Sequence, residues 1–304
     1  MEDLIQNNSL LLMEAAIVEQ LRRSGQVSLH DRLLNAPLIY DPASRAVMAS
    51  LYRQYMDLAE QAGLPMLVCA PTWRASQDRV QDSGVRESVN EDAVAFMQQI
   101  RHHDTVRIGG LMGCKHDCYQ PEEGLSAEAA QAHHAWQIER LAGSGVDFLM
   151  AATLPNVQEA LGIARAMAAT DTAAIISFVI GRDGRILDGS TLEQAMALID
   201  SEAGKPPLGY MINCAHPSFL QPATLSQHCQ ARLIGFQANA SSLDHCELEN
   251  ASEMKVDSID QWGQLMLALN QDYAVPILGG CCGTGIAHLE YIIEHRGRVV
   301  RDSQ

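Results

Sequence analysis

Three cysteines stand where chemistry is easiest to place. Cys214 closes the apolar run Gly209-Tyr210-Met211-Ile212-Asn213-Cys214, and Cys281-Cys282 follow Val275-Pro276-Ile277-Leu278-Gly279-Gly280. Adjacent cysteines form a disulfide only with strain, because their Cα atoms lie about 3.8 Å apart, below the usual disulfide range. A zinc ion tolerates the pair, since two thiolates need only reach one ion at about 2.3 Å. Alone, the pair would suit burial as small apolar side chains equally well. A third cysteine at a second strand end favours the metal. Three protein ligands leave one tetrahedral position open, the arrangement of a catalytic zinc. Three thiolates weaken zinc as a Lewis acid towards water, yet a thiol bound in the open position would be deprotonated and remain electron-rich. The chemistry that fits is alkyl transfer to a bound thiol.

Other groups carry weaker signals. Cys114-Lys115-His116-Asp117-Cys118 has an unusual spacing for a zinc knuckle and reads as a solvated loop, with a second metal site or pocket lining as the alternative. Arg74 would either grip a substrate carboxylate or stack on Trp73. His133 and His134 are neighbours on a helix and face different ways, one outward and one towards the barrel. His216 is either a support for a metal ligand or an exposed helix-start residue. Cys69, Cys229 and Cys246 have no partner spacing and read as buried apolar residues. The acidic run Asp244–Glu253 reads as a solvated loop.

The elements that must position the cysteines alternate in type. Strands are expected at Leu10–Met13, Met66–Ala70, Val106–Met112, Phe148–Thr153, Ala174–Ile180, Leu208–Cys214, Leu233–Asn239 and Val275–Gly280. Amphipathic helices are expected at Ser44–Ala62, Glu91–His102, Ser126–Ala142, Val157–Ala168, Leu192–Ser201, Pro217–Cys229, Ser258–Asn270 and Ile286–His295, with a short one at Glu14–Arg23. Eight β/α units without a composition break predict a (β/α)₈ TIM barrel, a single α/β domain over residues 1–304, rather than an open doubly wound sheet. No Gly-x-Gly-x-x-Gly follows the first strand, so dinucleotide binding has no support. In a barrel, the C-terminal ends of strands six and eight share one mouth, so all three sulfurs would meet there.

Composition excludes several function classes. The 304 residues carry 21 Lys+Arg against 37 Asp+Glu, a formal net charge of −16, which disfavours nucleic acid and anionic membrane surfaces as partners. With 47% hydrophobic and 19% charged residues the chain is neither disordered nor fibrous. No apolar run is long enough for a transmembrane helix, and Met1-Glu2-Asp3 lacks a basic leader. A cytoplasmic protein with reduced or metal-bound cysteines is expected.

Asn213-Cys214-Ala215-His216-Pro217 and Gly279-Gly280-Cys281-Cys282-Gly283-Thr284 together resemble the zinc-dependent homocysteine S-methyltransferase family. Gly145-Val146-Asp147 through Pro155, Glu159-Ala160, Asp188-Gly189 and Gln237-Ala238-Asn239-Ala240 extend the resemblance over most of the chain. The Gly-Gly-Cys-Cys-Gly-Thr element is the specific part. The resemblance implies a (β/α)₈ barrel whose Zn2+ is held by Cys214, Cys281 and Cys282 and activates the homocysteine sulfur. It implies substrate contacts at Glu14, Thr153, Asn213 and Asn239. The methyl donor would be a small onium compound: S-methylmethionine, S-adenosylmethionine or a betaine. The chain ends soon after the eighth helix, which predicts no appended cobalamin or folate module. A separate corrinoid partner protein and a homo-oligomer stay open.

Two family carboxylates that grip the substrate ammonium are missing. Their positions fall on Met13 and on Ala152, beside Thr153. Glu14 or Asp117 would have to replace the charge. Two further readings follow: methylation of a different thiol, or a non-catalytic zinc thiol-binding protein on the same barrel.

Overall fold

The computed structural model describes residues 1–243 and 257–297. The acidic run Asp244–Glu253 and Cys246 lie outside the described residues. Eight parallel strands close into a barrel in sequence order: β1 (Leu11–Met13), β2 (Met66–Cys69), β3 (Val106–Met112), β4 (Phe148–Leu154), β5 (Ala174–Phe178), β6 (Gly209–Ala215), β7 (Leu233–Ala238) and β8 (Ile277–Gly280). The ring closes where Leu11 and Leu12 pair with Ile277 and Leu278. The expected strands all form, with ends shifted by a few residues.

Helices start where side chains can satisfy their free N–H groups. Asp41 accepts from Ser44 N (2.8 Å) before α3 (Pro42–Gln61), with proline in its first turn. Thr191 and Gln194 form a reciprocal capping box at Leu192–Glu202. Asn156 caps Val157–Ala168. Two helix expectations need correction. Pro217–Cys229 is not one helix: 3₁₀ turns occupy Pro217–Phe219 and Pro222–Thr224, and α-helix runs only over Gln227–Arg232. Pro222 lacks the N–H that a continuous helix would need and forces Gln221 out of helical geometry. The helix placed at Glu14–Arg23 spans Val18–Ser24, because Glu14 still pairs through its N–H with Leu67 O (3.3 Å). Short helices at Glu2–Gln6 and Gln77–Gln81 and a 3₁₀ turn at Ala36–Tyr40 were not anticipated.

Side chains alternate along each strand between two cores. Leu11, Met13, Leu67, Cys69, Phe148, Met150, Ala152, Ile175, Met211, Ile234 and Ile277 fill the barrel interior. Leu10, Leu12, Met66, Val68, Leu149, Ile176, Ile212, Phe236 and Leu278 face the helical shell. The interior is packed with large side chains beside small ones: a Cβ on Gly109 would lie 2.5 Å from the Phe148 ring. The filled interior leaves the mouth above it as the place for a ligand. No helix of the described residues is long and apolar enough to cross a membrane.

Candidate active site at the barrel mouth

The sulfurs of Cys214, Cys281 and Cys282 lie within 4.8 Å of one another, close enough to hold one metal ion. Two strand irregularities bring them there. The β6–β7 register slips between Asn213 and Ala215, and the β4–β5 register slips between Ala151 and Leu154. At these bulges Cys214 (φ 53) and Thr153 (φ 60) adopt left-handed backbone. Neither residue is glycine, so each costs about 1–3 kcal/mol of strain, which the surrounding sheet must hold. The result is that both side chains turn towards one point: Thr153 Oγ1 lies 3.8 Å from Cys214 Sγ.

Asn213 ties the two bulges together. Its Nδ2 donates to Thr153 Oγ1 (2.7 Å) and to Cys214 Sγ (3.2 Å). Its Oδ1 accepts from Thr153 N (2.8 Å) and Ser177 Oγ (2.7 Å). All four residues are buried, so the network is fully internal and fixes the Cys214 sulfur.

The Cys281-Cys282 turn is held from the other side. Thr284 Oγ1 donates to Cys281 O (2.6 Å) and accepts from Ala16 N (3.4 Å). Gln20 Nε2 donates to Thr284 O (2.9 Å), and Gly283 N–H donates to Glu19. Gly280 must lack a side chain, because a Cβ there would fall 2.2 Å from Thr284 Oγ1. Gly283 supplies the left-handed step (φ 80) that ends the turn. Glu19 and Gln20 were not foreseen. They come from α2 (Val18–Ser24), and only its docking against the strand-eight turn reveals them.

The donor set fits a thiophilic cation. Exposure rises from buried Cys214 through Cys281 to exposed Cys282, so the open side of the cluster faces the mouth. Without a cation the thiols resist ionising. Hydrogen bonding with Cys214 and Cys282, and then burial, hold Cys281 well above the ordinary thiol range. For Cys214 a hydrogen bond with Cys281 favours ionisation. The bond with Cys282, burial and nearby sulfur charge outweigh it. The Cys214 and Cys281 thiols, both held above the ordinary range, become good ligands once a cation displaces their protons.

The Cys114–Cys118 loop is not solvated as expected. Cys114 and Cys118 are buried, and burial pushes both thiols up to about 12. Arg74 stacks on Trp73 (4.7 Å) and donates to Cys114 O (3.3 Å) and His116 O (2.8 Å). One guanidinium nitrogen, Nη1, thus pins the loop. Glu159 does the same from below, accepting from Lys115 N (2.8 Å), Leu125 N (3.3 Å) and His134 Nε2 (3.0 Å). His134 is buried and His133 lies nearer the surface, as expected. The folded loop brings in Tyr119, whose hydroxyl is raised far above its usual range by burial and by the Cys214, Cys118, Cys282 and Cys281 sulfurs. Tyr119 therefore borders the cluster, a residue that no sequence motif announced. His116 and Asp117 stay exposed.

Glu14 and Asn239 flank the cysteine-bearing strands. Glu14 is buried, and its backbone O accepts from Gly280 N (3.2 Å) and Gln237 Nε2 (3.3 Å). Its Oε1 accepts from Cys69 N (3.1 Å), while Oε2 has no partner among the described residues. Burial raises its carboxyl to about 7 against the pull of the Glu14 and Cys69 backbone N–H groups. Asn239 is buried with Oδ1 unpartnered among the described residues, and Ala240 N donates to Cys282 O (2.9 Å). Met13 and Ala152 point into the apolar barrel interior. His216 is buried, with Nδ1 2.7 Å from Ser218 Oγ and Nε2 3.3 Å from Asp257, so it is not the exposed residue considered above. Cys69 and Cys229 are buried as expected.

A sequence profile described as homocysteine S-methyltransferase matches residues 11–295 of this geometry's chain. The chain belongs to the homocysteine S-methyltransferase family. The homocysteine S-methyltransferase of Escherichia coli (strain K12) is 25% identical over 305 residues, covering 92% of this chain and 93% of that one. The metallated crystal form of the E. coli homocysteine methyltransferase MmuM superposes with a TM-score of 0.75 at 21% identity, covering 96% of this chain and 98% of that one. The oxidized form of MmuM gives 0.74 at 20% identity with 96% and 97% covered. At that identity the superpositions establish the shared barrel. Family membership makes the chain a thiol S-methyltransferase with small-molecule substrates.

Proposed function

We propose that the chain, one barrel domain over residues 1–304, is a zinc-dependent methyltransferase that makes methionine from homocysteine and a small onium methyl donor. The observation that carries this reading is the convergence of Cys214, Cys281 and Cys282 at one barrel mouth, with Asn213 bonded to the Cys214 sulfur. These three residues would hold the ion. A bound zinc would supply thiol activation, lowering the pKa of a substrate thiol so that it reacts as a thiolate.

The chain's own residues supply orientation and charge. Asn213 and Thr153 hold the Cys214 sulfur in place, which fixes where the ligand set points. Glu14 Oε2 and Asn239 Oδ1 are buried acceptors that lack donors among the described residues, and an amino-acid ammonium supplies donors. The Tyr119 hydroxyl lies close enough to the sulfurs to feel their charge, so an aromatic residue stands near the cluster, where it would favour a cationic donor. The reaction is an in-line displacement. The acceptor sulfur bonds to the methyl carbon, and the electron pair of the breaking bond returns to the donor heteroatom, which leaves uncharged. The thiol proton goes to solvent. Because opposite charges are lost together, exclusion of water from the mouth favours the transition state.

The apolar side chains of Met13 and Ala152, buried where the resemblance expects carboxylates, favour a second reading in which the acceptor is a thiol without an α-ammonium group. One assay separates the two. Zinc-loaded protein is incubated with a panel of thiols, homocysteine among them, against S-methylmethionine, S-adenosylmethionine and a betaine, and products are read by mass. Methionine formed from homocysteine faster than any other thioether supports the first reading. Methylation of a deamino thiol at a higher kcat/KM than homocysteine replaces it with the second.

A further inference from the structure

At the opposite face of the barrel, Asp57, His102 and His103 converge. Asp57 lies in the penultimate turn of α3, and the two histidines lie in the segment that leads into β3. His102 Nε2 is 2.6 Å and His103 Nε2 is 3.1 Å from the same oxygen, Asp57 Oδ1. The ligand atoms of the three residues lie within 4.8 Å of one another. Neighbouring residues of a strand would point to opposite faces. Here the chain is irregular, and the two imidazoles come to 3.9 Å between ring centres.

Each of the other ring nitrogens faces an acceptor. His102 Nδ1 lies 3.0 Å from Ile100 O, a carbonyl that can only accept. Nδ1 therefore carries the proton, and in the neutral ring Nε2 presents a lone pair to a carboxylate oxygen. Two acceptors at that distance need a proton or a cation between them. His103 Nδ1 faces Glu60 Oε1 at 3.7 Å, and Glu60 Oε2 in turn accepts from Thr105 Oγ1 (3.0 Å). A carbonyl behind one imidazole and a carboxylate behind the other is how metal-ligating histidines are oriented. The side chains are part exposed, which leaves room for water to complete a coordination shell.

We propose that Asp57, His102 and His103 form a second metal site that takes a borderline divalent cation such as Zn2+ and clips α3 to the lead-in of β3. Two imidazoles and one carboxylate suit zinc, cobalt or nickel rather than calcium or magnesium. The site lies at the N-terminal face, where residues serve the barrel's stability rather than its chemistry. Arg53 is the nearby positive charge that the ion must outweigh.

The test uses the full chain, reduced and stripped of metal by a chelator. Titration with Zn2+ should give two equivalents for wild type and one for His103→Ala. Glu60→Gln should keep both but weaken the second by about tenfold or more. Titration with Co2+ separates this site from the cysteine cluster. The thiolate charge-transfer band belongs to the cysteines and should be equal in wild type and His103→Ala. In wild type, the second equivalent of Zn2+ should shift two imidazole ring signals in long-range 1H–15N spectra and leave the other histidines in place. At a hundredfold excess over Kd it should raise Tm by about 5 °C. A single equivalent in wild type, two in His103→Ala, or imidazole signals indifferent to Zn2+ would each overturn the site.

Discussion

Cys281→Ala is expected to lose more than about a thousandfold in methyl transfer, because on the proposed mechanism thiol activation by a bound ion would supply several kcal/mol of barrier lowering. The same variant should lose the cobalt–thiolate charge-transfer band. Its circular dichroism and cooperative unfolding should remain those of wild type. Cys281 is part exposed at the mouth, directly after β8, and its N–H still donates to Ala238 O (2.7 Å), a backbone bond that alanine keeps, so the substitution takes little from either core. Thr284, Gln20 and Glu19 hold the turn through backbone groups that the substitution leaves in place. Residual activity within tenfold of wild type would remove the metal from the mechanism. Loss of cooperative unfolding would make the cluster structural.

Glu14→Gln should separate activity from stability. The carboxyl is buried and raised from about 4.5 to about 7, and among the described residues only one of its oxygens is bonded. A folded-state pKa above the unfolded one means that the neutral form favours folding. That contribution is complete below about pH 4.5 and is lost as pH rises to about 7. The shift corresponds to a loss on the order of 3 kcal/mol, which an isosteric amide avoids. Glu14→Gln should therefore be more stable than wild type above pH 7 and similar below pH 5, measured by denaturant unfolding. Its kcat/KM for homocysteine should fall by about ten- to a hundredfold, the worth of a charge-assisted hydrogen bond. Wild-type affinity for homocysteine should rise as pH passes through about 7, and the variant should lack that rise. An acceptor without an ammonium group should be indifferent to the change. A variant of unchanged homocysteine kinetics would mean that the ammonium is held elsewhere.

The barrel and the cysteine cluster were legible because both rest on local signals. Apolar runs ending in Asn213-Cys214 and Gly280-Cys281-Cys282 name the strands and place the sulfurs on one face. The break at Pro222 is legible too, since proline inside the Pro217–Cys229 pattern argues against one continuous helix. The left-handed turns at Thr153 and Cys214 were not readable, because neither residue type favours that conformation and only the neighbouring strands impose it. The buried Cys114–Cys118 loop looked solvated because its sequence is polar. Its burial depends on Arg74 and Glu159, about 40 residues away on either side. The convergence of His102 and His103 was likewise hidden, as adjacent residues meet only where the chain is irregular.

The most direct measurement is X-ray absorption at the zinc edge on protein carrying one equivalent of zinc, with and without homocysteine. Three sulfur scatterers at about 2.3 Å are predicted for the protein alone, with the count rising to four when homocysteine is added. Fewer than three sulfurs at the start would contradict the assignment of Cys214, Cys281 and Cys282. A count fixed at three while homocysteine is being methylated would contradict thiol activation at the cluster.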